Sequence, residues 1–348
     1  MKKITILGAG AMGTAFAVPC ADNGHQVNIV GTHLEDDFIK NLKSNNNFHP
    51  GLNTNISSKI NFHKFAEGKV YLNHNIDLLV LGISSKGIDW VAEQIYNLFG
   101  KNKIPPILML TKGLSIHQNK FELLIDKLKR ILKIKGIKKV NISAVGGPCL
   151  ATGLANRIHS SVVIANDQLK QAQQIASMLN NNYYHVYTSK DVVGVEVCAA
   201  LKNIFSMAIG AAKGISSKEA SDEIKEKNYL NTAAALVKQS IAEMMIFVTK
   251  MKGNKNTVIE LAGLGDLYVS AGGGRNAKMG SYIGNGLTYS EAKKTKMEKV
   301  TVEGAELAIE IGKKVNKDFS KKQLPLMLSM INAIINDQKL NIDWSNFK

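Results

Sequence analysis

Cysteine is scarce and acid is in deficit. Three cysteines, Cys20, Cys149 and Cys198, are spread over 348 residues. An odd number without metal-ligand spacing excludes a disulfide framework and a cysteine metal site, and leaves buried or site-lining thiols of a reducing compartment. No metal is expected. No apolar run reads as long enough to span a membrane, and Met1-Lys2-Lys3 passes straight into a strand-like segment without the apolar stretch and cleavage site of a signal peptide. A cytoplasmic protein with no membrane span is therefore expected. Internal repeats and low-complexity tracts are missing too. Acids number 28 against 44 lysines and arginines, a net charge of +16. Such a surplus attracts anions of every kind and is silent on fold. Aromatic residues are few, and none interleaves the densest basic patch, Lys127 to Lys139, as a single-strand nucleic-acid binder would need. That patch reads as a solvated basic helix end, and nucleic-acid binding is not expected.

What is present is a well-filled globular chain, 45% hydrophobic and 21% charged, of a length that favours two domains. Lys3 to Gly8 is a short buried-type run ending in Gly8-Ala9-Gly10-Ala11-Met12-Gly13. An apolar segment, Thr14 to Ala21, closes at Asn23-Gly24, and a second run follows from Gln26 to Val30. Strand, glycine turn, helix and strand within about thirty residues make a dinucleotide-binding βαβ unit. Gly8 permits the tight turn, Gly10 lets backbone approach a pyrophosphate, and Gly13 lets helix pack on strand, so the phosphates meet the amides of a helix N-terminus. An NAD-preferring site usually places Asp or Glu at the end of the second strand. Here Gly31-Thr32-His33 stands there and the first acid is Glu35. Thr32 and His33 can donate to a 2′-phosphate, which leans the cofactor towards NADP, with NAD close behind.

Further strands are expected at Leu78 to Gly82, Ile107 to Leu110, Val140 to Val145 and Ser161 to Ala165, separated by helices such as Gly87 to Leu98 and Lys120 to Leu132. This alternation predicts a doubly wound, mostly parallel α/β sheet. Several of the strands end in small or polar loops, namely Ser84-Ser85, Thr111-Lys112-Gly113 and Gly146-Gly147-Pro148-Cys149, and ligands bind beyond such carboxyl ends. Lys112 is thus a site candidate, with a solvent-facing loop lysine as the competing view. After about Thr188 the pattern becomes helical, with helices expected at Asn228 to Met251, Val258 to Ala262, Ser290 to Lys296, Glu303 to Val315 and Leu324 to Asp337. The polar segment Ser216 to Asn228 reads as a mobile surface connection. The expected division is a Rossmann-like domain over 1–188 and an all-helical domain over 189–348.

Two stretches of the second half carry chemistry. In Gly194 to Gly210, read as a helix, Glu196, Ala199, Lys202, Asn203, Ser206 and Gly210 share one narrow arc, opposite Val197, Leu201, Ile204, Phe205 and Ala208. A surface helix would show a broader charged face, so Lys202 and Asn203 look into a cleft, or Lys202 snorkels out of a core helix. Gly265-Asp266-Leu267 is followed by Ser270-Ala271-Gly272-Gly273-Gly274-Arg275-Asn276. The triple glycine exposes backbone donors beside a guanidinium suited to phosphate. The alternative is a helix-breaking loop whose arginine caps a carbonyl.

The chain as a whole resembles the soluble, NAD(P)-dependent glycerol-3-phosphate dehydrogenases of bacterial and archaeal type. The Gly8 to Gly13 fingerprint, Thr111-Lys112-Gly113, the Gly194 to Asn203 helix, Gly265-Asp266-Leu267 with Gly274-Arg275-Asn276, and Val302-Glu303-Gly304 occur in the family's order across almost the whole length. The resemblance implies a Rossmann-like domain and a helical substrate-binding and dimerisation domain. It implies a homodimer that interconverts dihydroxyacetone phosphate and sn-glycerol 3-phosphate with NAD(P)H, supplying phospholipid synthesis. It makes Lys202 the catalytic lysine, assisted by Lys112 and Asp266. It makes Lys112, Gly147, Cys149, Lys202, Asp266, Gly274, Arg275 and Asn276 substrate contacts. Cofactor contacts are Gly8, Ala9, Gly10, Ala11, Met12, Gly13, Thr32, His33, Lys112, Ala151, Arg275 and Glu303. Cys149 departs from the family's Ser or Thr, and a thiol is the weaker donor. Ser270 stands where relatives often have Thr, and the Thr32-His33 region lacks the family's frequent basic residue. Other readings are a related two-domain reductase of another short phosphorylated carbonyl or hydroxyacid, and a non-catalytic NAD(P)-binding sensor.

Overall fold

The computed structural model describes residues 1–100, 103–219 and 225–347. It divides into two compact units, Met1–Lys112 with Leu124–Val192, and Gly113–Leu123 with Val193–Lys348. Where the sequence reading puts a boundary between residues 188 and 189, the units change over between Val192 and Val193, and a short excursion leaves the first half of the chain to join the second unit.

The first unit begins with β1 (Lys3–Leu7), α1 (Ala11–Asp22), β2 (Gln26–Val30), α2 (Asp36–Ser44) and the two-residue strands β3 (Phe48–His49) and β4 (Thr54–Asn55). It continues through β5 (Ile60–His63), α3 (Phe65–Gly68), β6 (Leu78–Leu81), α4 (Ile88–Phe99) and β7 (Ile107–Met109). The excursion is a hairpin, β8 (Leu114–His117) and β9 (Lys120–Leu123). The first unit then resumes with α5 (Leu124–Ile134), β10 (Ile142–Gly146), α6 (Ala151–Ala155), β11 (Ser160–Ala165), α7 (Leu169–Leu179) and β12 (Tyr184–Ser189).

Eight of these strands form one sheet in the order β12-β11-β10-β7-β6-β1-β2-β5. Every pairing is parallel except β10 with β11. The central strands are buried along their length: Ile4, Ile6 and Leu7, then Leu78 to Leu81, then Ile107 to Met109. Strands covered on both faces read as continuous apolar runs, which is why the sequence shows them as runs and not as alternation. From β1 the chain builds outward through β2 to β5, then returns to the other side of β1 and builds through β6 and β7 to β10. Gly8, just past the end of β1, thus lies where the strand order reverses, the place where such sheets bind ligands.

Val258 to Ala262, expected as one helix, is divided between a 3-10 segment, Lys255–Ile259, and a π turn, Leu261–Gly265, and two further features differ from the expected elements. Lys120–Leu123, expected to open a helix, is instead a strand, because Gln118 and Asn119 both adopt positive φ (46° and 57°), and a two-residue turn of that kind closes an antiparallel hairpin. The pairing Leu114↔Leu123 to His117↔Lys120 gives the otherwise helical second unit its one strand pair among the described residues. The edge strands β5 and β12 were also not legible, since both are half polar.

The second unit contains α8 (Val192–Glu219), α9 (Lys225–Lys250), α10 (Asp266–Ala271), α11 (Arg275–Gly284), α12 (Tyr289–Lys296), α13 (Glu303–Asp318) and α14 (Pro325–Ile335). The segment expected as a mobile connection, Ser216 to Asn228, is helical up to Glu219 and from Lys225, and its remaining residues lie outside the described ones. The expectation that no apolar run reaches membrane-spanning length needs correction. Val192–Ser217 and Tyr229–Lys250 are each long and apolar enough by length and composition, but 89% of the apolar window of the first is buried inside the protein, and 44% of the second.

Helices α8 and α11 meet backbone to backbone. A methyl group added at Gly210 or Gly214 of α8 would strike the main chain of Ala277 or Ser281, and one added at Gly280 or Gly284 of α11 would strike the carbonyls of Met207 or Ala211. Gly304, at the start of α13, abuts the carbonyl of Asn203 in the same way. Elsewhere in the unit the carboxylate of Glu243 is fully buried. It accepts from the amides of Leu326 (2.7 Å) and Met327 (2.8 Å) and from Gln239 Nε2 (2.9 Å), closing the N-terminus of α14. Burial pushes its pKa up to about 7 despite those donors.

The glycine contact is testable. Gly280→Ala should destabilise the protein by about 3 kcal/mol, the upper range for overpacking. Gly272→Ala, whose methyl would meet nothing nearer than 3.5 Å, should be close to neutral. Chemical denaturation of both variants measures the difference, and equal stabilities would refute a backbone-to-backbone contact.

Candidate active site

The glycine turn of the first unit has the shape a dinucleotide needs. Gly8 sits at φ 111°, and a methyl there would come within 2.5 Å of the carbonyl oxygen of Gly82. Gly13 packs against the carbonyl of Gly8. The turn is tied by Gly8 N donating to Val30 O (2.8 Å) and by the Thr14 hydroxyl donating to Ala9 O (3.0 Å). Helix α1 starts at Ala11 with Gly10 as its cap and no side chain closing it. Its first amides are therefore open to an anion, so Gly8 to Gly13, with Ala11 and Met12 half-buried at the helix start, fit a pyrophosphate.

Beyond β2, Thr32 is half-buried and His33 exposed. The His33 ring leans on Trp90 with centroids 5.0 Å apart. Glu35 is the residue that sequence reading passes over. Its carboxylate folds back onto the turn, accepting from Ala9 N (3.2 Å to each oxygen) and from Thr32 N (2.7 Å). An acid at this place is the usual partner of a ribose 2′-hydroxyl. A residue five positions past the strand end is drawn in by a turn, and strand-end reading alone gives no sign of it.

His49 is a second unanticipated neighbour. Its Nε2 donates to Ala9 O (3.3 Å), its ring meets Phe38 edge-on at 5.0 Å, and Nδ1 is buried without a hydrogen-bond partner. Burial holds its pKa below the usual histidine range, against the pull of the Glu35 carboxylate.

The remaining candidates of the first unit lie in the carboxyl-end loops. Thr111 donates through Oγ1 to Ile83 O (2.8 Å), pinning the loop from which the half-buried Lys112 projects. Gly147 adopts φ 124° with its α-carbon against the backbone of Val162 and Ser161. Cys149 and Ala151 are half-buried beside it.

In the second unit, Lys202 leaves α8 at 8% exposure and Asp266 opens α10 at 2%. They form an ion pair, and Lys202 Nζ also donates to Ser270 Oγ at 2.7 Å. A single turn of π-helix, Leu261–Gly265, precedes Asp266. Such turns reset the helical phase of the residues that follow and are common at functional sites. Lys202 therefore does not snorkel to solvent; it is held inside the unit. Asn276 bridges three helices, donating to Asn203 Oδ1 (3.0 Å) and accepting from Gly304 N (2.9 Å). Arg275 and Glu303 are exposed and paired at 3.0 Å. Gly274 caps α11 in extended conformation with no side-chain cap, so the first-turn amides of α11 face outward beside Arg275. The structure thus gathers Lys202 with Asp266, Asn276 with Asn203, and Arg275 with Glu303. Sequence reading does not find the Ser270 contact or the bridging role of Asn203, because both depend on which helices pack together. Among the described residues no group of histidines, cysteines and carboxylates could hold a metal ion.

Comparison with known proteins covers both units. Residues 3–173 match the family model for the N-terminus of NAD-dependent glycerol-3-phosphate dehydrogenase, and residues 191–343 that for its C-terminus. The chain is 29% identical over 324 residues to an NADP(+)-dependent glycerol-3-phosphate dehydrogenase of Archaeoglobus fulgidus, covering 90% of this chain and 91% of that one. It is 30% identical over 301 residues to a glycerol-3-phosphate dehydrogenase [NAD(P)+] of Bacillus pumilus, covering 84% of this chain and 79% of that one. Among solved structures it is similar to glycerol-3-phosphate dehydrogenase from Coxiella burnetii, with TM-score 0.79 and 25% identity over 97% of this chain and 96% of that one.

The Lys202–Asp266 pair carries an expectation of its own. Breaking a buried pair by removing one partner costs about 3–5 kcal/mol, whereas replacing both by apolar groups of similar volume costs far less. Asp266→Ala should therefore lose more stability in denaturant unfolding than Lys202→Met with Asp266→Leu together. Equal losses would show that only the filled volume matters.

Proposed function

The chain belongs to the family of NAD-dependent glycerol-3-phosphate dehydrogenases, and on that premise we propose how its own residues carry out the interconversion of dihydroxyacetone phosphate and sn-glycerol 3-phosphate. The protein is an NAD(P)-dependent oxidoreductase. The nicotinamide cofactor, when bound, supplies or accepts the hydride at the carbon that changes between ketone and alcohol.

The observation that carries the residue-level account is a buried lysine fixed by a buried carboxylate and a hydroxyl. During reduction negative charge develops on the carbonyl oxygen, and that oxygen must gain a proton. Lys202 Nζ donates it, and in the oxidative direction takes the hydroxyl proton back. Asp266 and Ser270 hold Nζ to one orientation, which turns an encounter into a positioned transfer. Lys112 adds positive charge that stabilises the developing oxyanion. Arg275 and the open amides of α11 hold the substrate phosphate, the guanidinium exchanging its Glu303 partner for a dianion. Asn276, with one Nδ2 hydrogen committed to Asn203, has a second to give the same phosphate. Gly147, Cys149 and Gly274 contribute backbone or thiol contacts. Ala151 and Glu303, with Lys112 and Arg275, belong to the cofactor's surroundings.

Either dinucleotide suits the glycine turn. Thr32 and His33 favour NADP by offering donors to a 2′-phosphate, and the Archaeoglobus relative is named NADP(+)-dependent. Glu35 is the one feature that pulls towards NAD. We further propose that the enzyme works as a cytoplasmic homodimer supplying glycerol 3-phosphate for phospholipid synthesis.

Oxidation of NADPH and NADH with dihydroxyacetone phosphate, and then with dihydroxyacetone, tests the reaction directly. Fast oxidation is expected with the phosphorylated ketone alone. No oxidation beside intact cofactor binding would leave the fold and transfer the activity to another short phosphorylated carbonyl or to a sensor. Lys202→Ala should lower kcat by about 10²-fold or more with cofactor affinity unchanged, the scale of a lost acid-base group. Arg275→Ala should chiefly raise KM for the phosphorylated substrate, and an equal loss with the unphosphorylated ketone would remove it from the phosphate site.

Glu35→Gln should raise the NADPH to NADH ratio of kcat/KM by about tenfold, the effect of relieving one close like-charge contact worth about 1.4 kcal/mol. An unchanged ratio would show that the Glu35 carboxylate never meets the 2′-position.

A further inference from the structure

The amino edge of the first unit's sheet holds a concentration of charge that the dehydrogenase reaction does not use. A cavity of about 670 Å³ opens there between the second half of α5, the connection Ile137 to Asn141, and the turn Asn166 to Gln168 ahead of α7. Five cations line it, Lys129, Arg130, Lys133, Lys138 and Lys139, against one acid, Asp167. Asp167 stands 3.5 Å from Lys129. Among the described residues Lys133, Lys138 and Lys139 pair with no carboxylate. The sequence alone makes this patch a solvated helix end. The structure makes it the wall of a concavity.

The floor is built of amides already fixed in place. Asn166, 4% exposed, donates through Nδ2 to Asn141 Oδ1 (2.8 Å), Ile142 O (3.2 Å) and Ser143 Oγ (2.8 Å). Its Oδ1 accepts from Gln168 N (2.9 Å). Asn141 in turn donates to Gln171 Oε1 at 2.7 Å. With that oxygen committed, what Gln171 has left to offer is its NH₂ donor. Helix α7, eleven residues long, starts at this turn with Gln168 as its cap and no side chain closing its N-terminus. Cations, amide donors and a helix N-terminus all favour negative charge at one place.

This cavity lies at the start of β10, and the Gly146-Gly147 loop lies at its end, about 15 Å away along a strand of this length. It is therefore distinct from the loops that meet cofactor and substrate. The volume falls in the range of small-molecule sites. Lys133, Lys138 and Lys139 alone carry one more positive charge than a single phosphate dianion neutralises. The lining also lacks any aromatic side chain, which a single-stranded nucleic acid would stack upon.

We propose that this cavity is a binding site for a small polyanion carrying two or more adjacent phosphates, separate from the dinucleotide site of the same unit. The test uses the full chain saturated with NADPH, so that the dinucleotide turn is filled, and titrates inorganic triphosphate by calorimetry at fixed ionic strength. Binding is expected, weakened about tenfold or more by the triple substitution Lys133→Gln, Lys138→Gln and Lys139→Gln, with kcat and the KM for NADPH unchanged. Those three lysines are exposed, so the variant should fold normally, and an unaltered melting curve confirms it. Absence of binding, or equal affinity in the triple variant, would overturn the proposal. So would a 20-nucleotide RNA that binds more tightly than triphosphate and is weakened by the same substitutions, since the patch would then be a nucleic-acid face.

Discussion

The backbone-to-backbone contact of α8 with α11 is the constraint that sets the positions of Lys202, Asn203 and Asn276 in the second unit. Glycine inside a helix costs about 0.5–1 kcal/mol relative to alanine, and the two helices carry Gly210, Gly214 and Gly280 in their interiors and Gly284 at the end of α11. That sacrifice removes the side chain at four positions of the interface. Each glycine faces a carbonyl or α-carbon of the other helix, so the helices approach to the limit of main-chain contact, where dispersion and weak Cα–H···O contacts accumulate. A contact between main chains has little room to slide. Lys202 and Asn203 lie about two turns before Gly210, roughly 10–12 Å along the axis, and inherit that fixed position. Gly304 extends the same device to α13 by abutting the Asn203 carbonyl, while Asn276 stitches Asn203 to the Gly304 amide. The starts of α11 and α13 and the middle of α8 are thereby set at once.

Within that frame a lysine is kept inside the unit, which costs desolvation unless its charge is matched. Asp266 matches it and Ser270 accepts a second hydrogen bond. Another buried acid of the unit shows the contrast. Glu243 has backbone amides and a glutamine as partners and no cation beside it among the described residues, and burial raises its pKa to about 7. Donors at a helix N-terminus are enough to seat a carboxyl group. The ion pair and the Ser270 contact at Lys202 fix the direction of its nitrogen, which the proposed proton transfer requires.

The fold was legible where a strand is buried on both faces or a helix is strongly patterned. β1, β2, β6, β7, β10 and β11 were visible as apolar runs, and α4, α9, α12, α13 and α14 were visible by helical spacing. What escaped has physical causes. β5 and β12 lie at the two edges of the sheet, one side of each is half polar, and neither reads as a run. The β8–β9 hairpin rests on two residues, Gln118 and Asn119, adopting positive φ, which their identities permit but do not demand. In the site, glycine spacing announces Gly8 to Gly13 because backbone geometry itself needs those residues. The arc containing Lys202 and Asn203 was visible for a similar reason, as an anomaly on an apolar helix. Glu35, His49 and Ser270 were invisible as partners, because each is brought in by a turn or by packing between elements distant in sequence.

The charge surplus of the chain is arranged in a way that separates recognition from mere attraction. At the glycine turn the anion-binding groups are amides, and the nearest charged side chain described there is the acid Glu35. At the start of α11 a single guanidinium, already paired with Glu303, stands beside open amides. Neither place draws on a crowd of lysines. Amides in fixed directions select the geometry of an anion, whereas clustered lysines raise its local concentration and lose that advantage as salt rises. Binding at the proposed phosphate positions of the glycine turn and of α11 should therefore resist salt better than binding at the amino edge of the sheet, where Lys133, Lys138 and Lys139 stand. On the proposed site assignment, a chain with a net charge of +16 holds its dinucleotide and its phosphorylated substrate by shape, and keeps the bulk of its positive charge on surfaces where geometry matters less.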